Sequence, residues 1–183
     1  MLAAIAPLFL LAASSPEVVI ETNLGTIEVR LAADKAPATV ANFLRYVDAG
    51  AYAGGTFHRT VTKDNQPANN IKIEVVQAGA AQSTKSWQPV PLERTSVTGL
   101  RHRDGVISMA RDTPDSATSD FFICIGDQPS LDFGGRRNPD GQGFAAFGQV
   151  VRGMDVVRRI QAAPADGQKL MPPVRILQIR RKP

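Results

Sequence analysis

Seven or eight short runs of β-branched and aromatic residues, joined mostly by short connections, constrain the fold of this chain more than any other feature. Two of them flank a turn at Asn23-Leu24-Gly25. The others lie at residues 56–61, 71–79, 105–110, 120–126, 143–151 and 173–181, the last with apolar residues on parts of both faces. Parallel strands need crossovers of about a dozen residues or more, so these runs predict a largely antiparallel sheet. So many strands with few edges favour a closed barrel.

Two segments have the helical period instead. In residues 34–50, apolar side chains recur at i, i+3, i+4 and i+7, Pro37 suits a first turn and Gly50 suits a C-terminal stop. Residues 153–160 have the same kind of apolar face over a shorter length. With 183 residues and no repeat or linker, the chain is long enough for one domain with a sizeable core.

The N-terminal stretch MLAAIAPLFLLAASS differs from the rest, because it has no charged side chain and is almost wholly apolar. It is too short to span a bilayer comfortably as a helix, but it fits a signal peptide with cleavage after Ala13 or Ser14. We therefore expect residues 1–14 to be a signal peptide and residues 15–183 to be the domain. That predicts a periplasmic or secreted protein with no stable membrane association after cleavage. An uncleaved anchor and a misassigned start codon are the alternatives.

Composition argues against several classes of site. The net charge of +4 is mild, and the one dense cluster, Arg180-Arg181-Lys182, is more typical of a solvated tail than of a nucleic-acid site. With Cys124 as the only cysteine and two histidines in all, an internal disulfide is impossible and a Cys/His metal site improbable. Neither a phosphate-binding glycine loop nor a GxSxG elbow is present. We expect no metal, no cofactor and no nucleic-acid partner.

The stretch GGTFHRTV contains the residue that most needs an explanation. Strand alternation predicts Phe57, Arg59 and Val61 on one face, so a permanently charged side chain shares a face with two apolar ones. A surface arginine whose stem packs on the sheet is one interpretation. A binding groove on that face is the other.

Three stretches in order carry a family resemblance: GAYAGGTFHRTV, GVISMARDTPDSATSDFFICIG and GFAAFGQVVRGMDVVRRI. From Glu17 to Arg181 the chain resembles the cyclophilin family of peptidyl-prolyl cis–trans isomerases. The resemblance implies a mainly β fold, a closed eight-stranded antiparallel barrel capped by two α-helices. It also implies a groove on the outer surface of the barrel that takes an X-Pro segment of a proline-containing unfolded or folding polypeptide.

The resemblance places Arg59 on the family's catalytic arginine. It places ten further residues at substrate-binding or neighbouring positions: Phe57, His58, Gln77, Ala110, Arg111, Asp112, Asp120, Phe122, Leu131 and Phe144. Phe122 would form the floor of the proline pocket and Leu131 its wall, and the backbone of residues 110–112 would pair with the peptide. For Phe122 and His58, structural packing is the alternative role.

The chemistry of such a site needs no nucleophile, metal or cofactor. Rotation about a peptide bond costs about 18–20 kcal/mol because resonance makes the bond partly double. A catalyst needs an apolar pocket for the proline ring and a donor near the prolyl nitrogen, which gains a lone pair as resonance is lost. A guanidinium can provide that donor, since it stays protonated and presents several N–H groups in a fixed fork.

The chain departs from the family pattern beside the groove. Residues 62–70 form an apparent insertion, and the loop at residues 132–143 is longer than usual. Glu74 stands where the family has a pocket phenylalanine, unless a register shift brings Ile73 or Val75 there. A carboxylate at that position could pair with Arg59 and compete with the substrate.

Three further departures are single residues: Asp120 in place of a glutamine, Ser130 in place of an aromatic residue and Phe144 in place of a histidine or tyrosine. They leave two main hypotheses, an exported prolyl isomerase and a proline-binding module of the same fold with weak catalysis. A barrel that carries a small molecule inside is a third. Ser130 also predicts weak cyclosporin binding, and a monomer is expected.

Overall fold

The computed structural model describes residues 15–183, so the predicted signal peptide lies outside the described residues. The strands are β1 (Glu17–Thr22), β2 (Gly25–Leu31), β3 (Thr56–Val61), β4 (Val75–Gly79), β5 (Val106–Met109), β6 (Phe121–Cys124), β7 (Ala146–Arg152), β8 (Ala165–Asp166) and β9 (Lys169–Arg181). The α-helices are α1 (Pro37–Asp48), the single-turn α2 (Thr95–Thr98) and α3 (Met154–Gln161), with a 3₁₀ turn at Pro129–Leu131. No helix within residues 15–183 is long and apolar enough to cross a membrane.

Eight of the strands form a closed antiparallel barrel in the order β1-β2-β7-β5-β6-β4-β3-β9, and a β1–β9 pairing closes it. The ninth strand, β8, pairs only with β9 and lies outside the barrel. The predicted barrel is confirmed, as are its two longer helices.

Alternation fills the interior of the barrel. Val18 and Ile20 on β1, with Ile27 on β2, are fully buried, whereas Glu21 on β1 and Glu28 on β2 are partly exposed. Helix α1 adds Phe43, whose ring centroid lies 5.2 Å from that of Phe147 on β7. Tyr52 and Phe121 also pack on the Phe43 ring, at 5.4 and 5.6 Å between centroids, so aromatic contacts join the helix to the barrel.

Two strand predictions were wrong in detail. Residues 71–74 are not a strand, because the side chain of Gln66 satisfies the backbone there: its amide nitrogen donates to the Ile73 carbonyl at 2.8 Å. In β9 a bulge at Leu177 shifts the alternation, so this residue is 52% exposed and Ile179 points back into the core. Residues 173–181 therefore bury one face, not parts of two.

Candidate active site

A groove of about 480 Å³ lies on the outer surface of the barrel, over β3, β4 and β6. Its floor is apolar and consists of Ile73, Val75, Phe122, Leu131 and Phe144. These side chains belong to a small hydrophobic cluster separate from the barrel interior, because alternation turns Phe122 outward where Phe121 points inward. The rings of Phe122 and Phe144 meet edge to face at 5.3 Å. The floor therefore offers an apolar surface on which a small apolar group can pack.

A β-bulge at His58 determines where Arg59 points. Phe57 is paired with Ala78 and Arg59 with Gln77, so one extra residue sits between the two pairs. As a result Phe57 is fully buried in the barrel core, 6.0 Å from Phe121, whereas Arg59 lines the groove. The prediction that Phe57 shares a face with Arg59 and contacts substrate is corrected by this bulge.

The Arg59 guanidinium is held by two neutral amides. Its NH1 donates to Gln77 Oε1 at 3.0 Å, and its Nε and NH2 donate to Gln168 Oε1 at 2.9 and 2.6 Å. Within residues 15–183 no carboxylate lies at ion-pair distance from it. Burial lowers the pKa of Arg59, yet a guanidinium remains protonated at working pH. The groove therefore contains an oriented, uncompensated cation with N–H groups to spare.

Gln168 was not predicted as a site residue. It lies in the turn between β8 and β9, and its own amide nitrogen donates to the backbone oxygen of Asn65 in the inserted loop at 3.0 Å. No motif marks this glutamine in the sequence, because its partner Arg59 is 109 positions away.

Glu74 does not approach Arg59, contrary to the concern raised by the sequence. Its carboxylate faces Lys63 at 3.6 Å and accepts a weak hydrogen bond from Gln161 at 3.4 Å. Ile73 and Val75 line the groove instead, as the register-shift alternative predicted.

Asp120 lines the groove at one end of its apolar floor, beside Gly79 of β4. Its Oδ2 lies 3.5 Å from Gln77 Nε2 and 3.8 Å from His58 Nε2. Asp112 lines the groove nearby. The amide of Ala110 already donates to the Asp120 carbonyl at 2.9 Å, so this N–H is not free for a bound peptide.

Arg111 lines the groove but is committed to the loop at residues 132–143. It makes a two-pronged pair with Asp140 at 2.7 and 2.9 Å, and its Nε donates to the Gly143 carbonyl. Its side chain is 1% exposed and covers the Phe144 ring at 5.1 Å. The hydrogen bonds from Arg111, and next the one from the Gln142 backbone amide, lower the pKa of Asp140 to about 2.

Comparison with known proteins identifies the family of the chain. The sequence model described as "Cyclophilin type peptidyl-prolyl cis-trans isomerase/CLD" matches residues 17–181. The chain belongs to the cyclophilin family. It is 40% identical over 160 residues to peptidyl-prolyl cis-trans isomerase A of Dickeya dadantii, covering 87% of this chain and 77% of that one. It is 36% identical over 145 residues to peptidyl-prolyl cis-trans isomerase B of Escherichia coli, covering 79% and 83%.

Solved structures support the cyclophilin fold. A cyclophilin type peptidyl-prolyl cis-trans isomerase of Cryptosporidium parvum superposes with a TM-score of 0.74 at 22% identity, over 92% of this chain and 98% of that chain. A second structure with the same description, in the presence of the dipeptide Ala-Pro, gives a TM-score of 0.71 at 21% identity, over 91% and 99%. The predicted family and its enzyme class are confirmed, whereas the roles of the individual site residues stay predictions.

Beneath the cyclophilin groove lies a buried polar set that sequence analysis missed. His102 Nδ1 is 2.8 Å from Asp132 Oδ1, and His102 Nε2 is 2.9 Å from Ser108 Oγ. The residue types are those of a nucleophilic triad, but Ser108 is fully buried and offers substrate no approach. The imidazole stacks under Phe122 at 6.0 Å, so the set supports the floor of the groove.

The described part of this cyclophilin has no group of three or more metal-ligating His, Cys, Asp or Glu side chains. Cys124 is buried in the cluster under the groove, and burial raises the pKa of its thiol. A thiol in that setting packs as a small apolar side chain.

Proposed function

We propose that this cyclophilin accelerates cis–trans isomerisation of X-Pro bonds, with the proline ring on the apolar floor and Arg59 as the hydrogen-bond donor. One observation carries the proposal. The Arg59 guanidinium lies beside an apolar floor, where neutral side-chain amides hold it and no carboxylate of residues 15–183 pairs with it. An arginine that merely packed its stem on the sheet would not need two amides to aim it.

The mechanism uses the change in the amide during rotation. In the ground state the prolyl nitrogen shares its lone pair with the carbonyl, and at the twisted transition state that pair is localised on nitrogen. A guanidinium N–H directed at this nitrogen therefore stabilises the transition state more than the ground state. Gln77 and Gln168 fix the fork, so little reorganisation accompanies the rotation. No covalent bond forms or breaks.

The substrates we propose are proline-containing segments of unfolded or folding polypeptides. The Ala-Pro dipeptide with the Cryptosporidium protein supports a proline-peptide ligand for this groove. We further propose that residues 1–14 direct export and that the mature protein acts outside the cytoplasm as a monomer. Terminal sequencing of protein from its native host checks the export proposal, which an intact Met1 in the cytosol would contradict.

The deciding experiment measures isomerisation of Ala-Pro and Leu-Pro peptides by the mature protein. We expect a rate increase proportional to enzyme concentration. A protein that binds these peptides at equilibrium but leaves the rate of isomerisation unchanged would exclude catalysis.

That outcome would instead support the second candidate, a proline-segment-binding module. Asp120 favours it, because this carboxylate lies in the groove within 3.5 Å of Gln77, where an uncharged peptide must desolvate it. Asp120→Gln separates the two candidates. It raises kcat if the carboxylate suppresses catalysis, and it changes affinity alone if the groove only binds.

Cyclosporin inhibition should be weak. Ser130, next to Leu131, has almost no apolar area with which to cover the ligand, where an indole would provide a contact. We expect inhibition at least about tenfold to hundredfold poorer than in relatives with an aromatic residue there.

A further inference from the structure

Besides Arg59 and Arg111, the groove carries a third guanidinium, that of Arg137, at the end away from Asp120. Asp120 lies beside Gly79 at one end of β4, since a Cβ on this glycine would meet its carboxylate. Arg137 lies beyond the other end of β4, where its NH1 donates to the Ile71 carbonyl at 2.6 Å. Both charges line the groove, on opposite sides of its apolar floor.

Arg137 is anchored by one nitrogen only. NH1 donates to Gln66 Oε1 at 2.8 Å as well as to the Ile71 carbonyl, so it joins the loop at residues 132–143 to the inserted loop and to the residue that follows it. Its Nε and NH2 have no acceptor among residues 15–183. That edge of a guanidinium presents two parallel N–H groups, the arrangement that matches a carboxylate.

The carboxylates nearest to Arg137 in the chain are already committed. Asp140 is paired with Arg111 at 2.7 Å, and Asp132 with His102 at 2.8 Å. No carboxylate of residues 15–183 lies at ion-pair distance from Arg137. Burial, and next the charge of Arg59, lower the pKa of Arg137, so two unpaired cations repel each other in one groove. An incoming anion would relieve that repulsion.

We infer that Arg137 is a specificity-determining residue that binds the carboxylate of an Asp or Glu side chain on one flank of the substrate proline. The inference rests on the proposed isomerase function. It adds a charged subsite formed by the two loops that depart from the family pattern.

The test moves a single glutamate along a neutral peptide with one proline, from three residues before the proline to three residues after it. A glutamine peptide at each position is the matched control. We expect the Glu-to-Gln ratio of kcat/KM to reach about ten at a position on one flank and to stay near one on the other. Raising the salt concentration from about 0.05 to 0.5 M should reduce the ratio.

Three variants assign the ratio to this side chain. Arg137→Met should bring it close to one, and Arg137→Lys should keep part of it. Arg136→Met removes the same charge from the neighbouring exposed residue and should leave the ratio as in wild type. A flat scan by an active enzyme, or a ratio that survives Arg137→Met, would overturn the subsite.

Failure of the proposed function has a different signature. If no peptide is isomerised, equilibrium binding of the Glu and Gln peptides to wild type and Arg137→Met still measures the ratio. A ratio near ten that is lost in the variant would support the subsite without catalysis, and equal affinities would refute it.

Discussion

Arg59 and Arg111 line the same groove but differ in what accepts their hydrogen bonds. Arg59 donates to two side-chain amides, Gln77 and Gln168, which aim the guanidinium without cancelling its charge. Arg111 donates to a backbone carbonyl and to both oxygens of Asp140, and this carboxylate both aims the guanidinium and neutralises its charge.

The difference teaches that the acceptor decides the role of a groove arginine. A cation held by neutral acceptors keeps its electrostatic field and spare N–H groups for a substrate. A cation in a bidentate carboxylate pair instead stabilises a loop. A sequence shows only residue type and position along the chain, and from these both arginines were predicted to be site residues.

The largest expected effect is on catalysis by Arg59→Ala. We expect kcat/KM to fall about a hundredfold to a thousandfold, which corresponds to roughly 3–4 kcal/mol of transition-state stabilisation. The fold should survive because the side chain lies in a groove, so circular dichroism and thermal unfolding are the controls. A folded variant with wild-type rate would exclude Arg59 from the mechanism.

Gln168→Glu gives Arg59 a carboxylate partner, as Arg111 has in Asp140. The new carboxylate would accept the same two hydrogen bonds and neutralise the guanidinium, so we expect kcat to fall about tenfold or more. Gln168→Met, which removes the acceptor but adds no charge, is the matched control and should lose less. If the Glu variant is as active as wild type, the neutrality of the acceptors does not matter.

Much of the site could be predicted because its residues follow the strand pairing. Arg59, Gln77 and Phe122 lie on β3, β4 and β6, which are neighbours in the sheet, and Arg59 and Phe122 stand in two of the contiguous family motifs. The barrel itself followed from short connections and alternating apolar residues.

The rest depended on local backbone irregularity and on distant contacts. The bulge at His58 reverses the side on which Phe57 lies, and no glycine marks it in the sequence. Gln168 and Asp140 act through partners 109 and 29 positions away, so no periodicity or motif connects them. Sequence alone did not show whether Glu74 or a neighbour faces the groove. Ile73 does, and its carbonyl accepts a hydrogen bond from the Gln66 side chain in place of strand pairing.

Arg111→Met tests the stabilising role of the other arginine. Losing the pair with Asp140 and the contact with Phe144 should lower the melting temperature by roughly 5 °C. The effect on kcat should be much smaller than that of Arg59→Ala, since the guanidinium faces Asp140 and Gly143. Calorimetry and the isomerase assay on the same preparation check both parts. A variant with unchanged melting temperature and hundredfold lower kcat would reverse the roles of the two arginines.

The smallest expected effect is a pH dependence that only one arginine produces. Hydrogen bonds, mainly from Arg111 and next from the Gln142 amide, lower the pKa of Asp140 from its ordinary value of 3.8 to about 2 in the folded protein. The folded state therefore favours the ionised carboxylate, and this stabilisation is complete above the unfolded pKa and lost as pH falls through about 2. The difference in the free energy of unfolding between wild type and Arg111→Met should shrink as pH drops from about 5 to 2. The corresponding difference for Arg59→Ala should stay constant over that range, because no carboxylate of residues 15–183 is paired with Arg59. Denaturant titrations at several pH values measure both differences.

An NMR titration of the Asp140 carboxyl carbon follows the group itself. In Arg111→Met the pKa of Asp140 should rise toward the ordinary value but stay below it, since the Gln142 amide still donates to Oδ1 at 2.9 Å. A pKa unchanged by the substitution would mean that Arg111 is not what holds this carboxylate ionised.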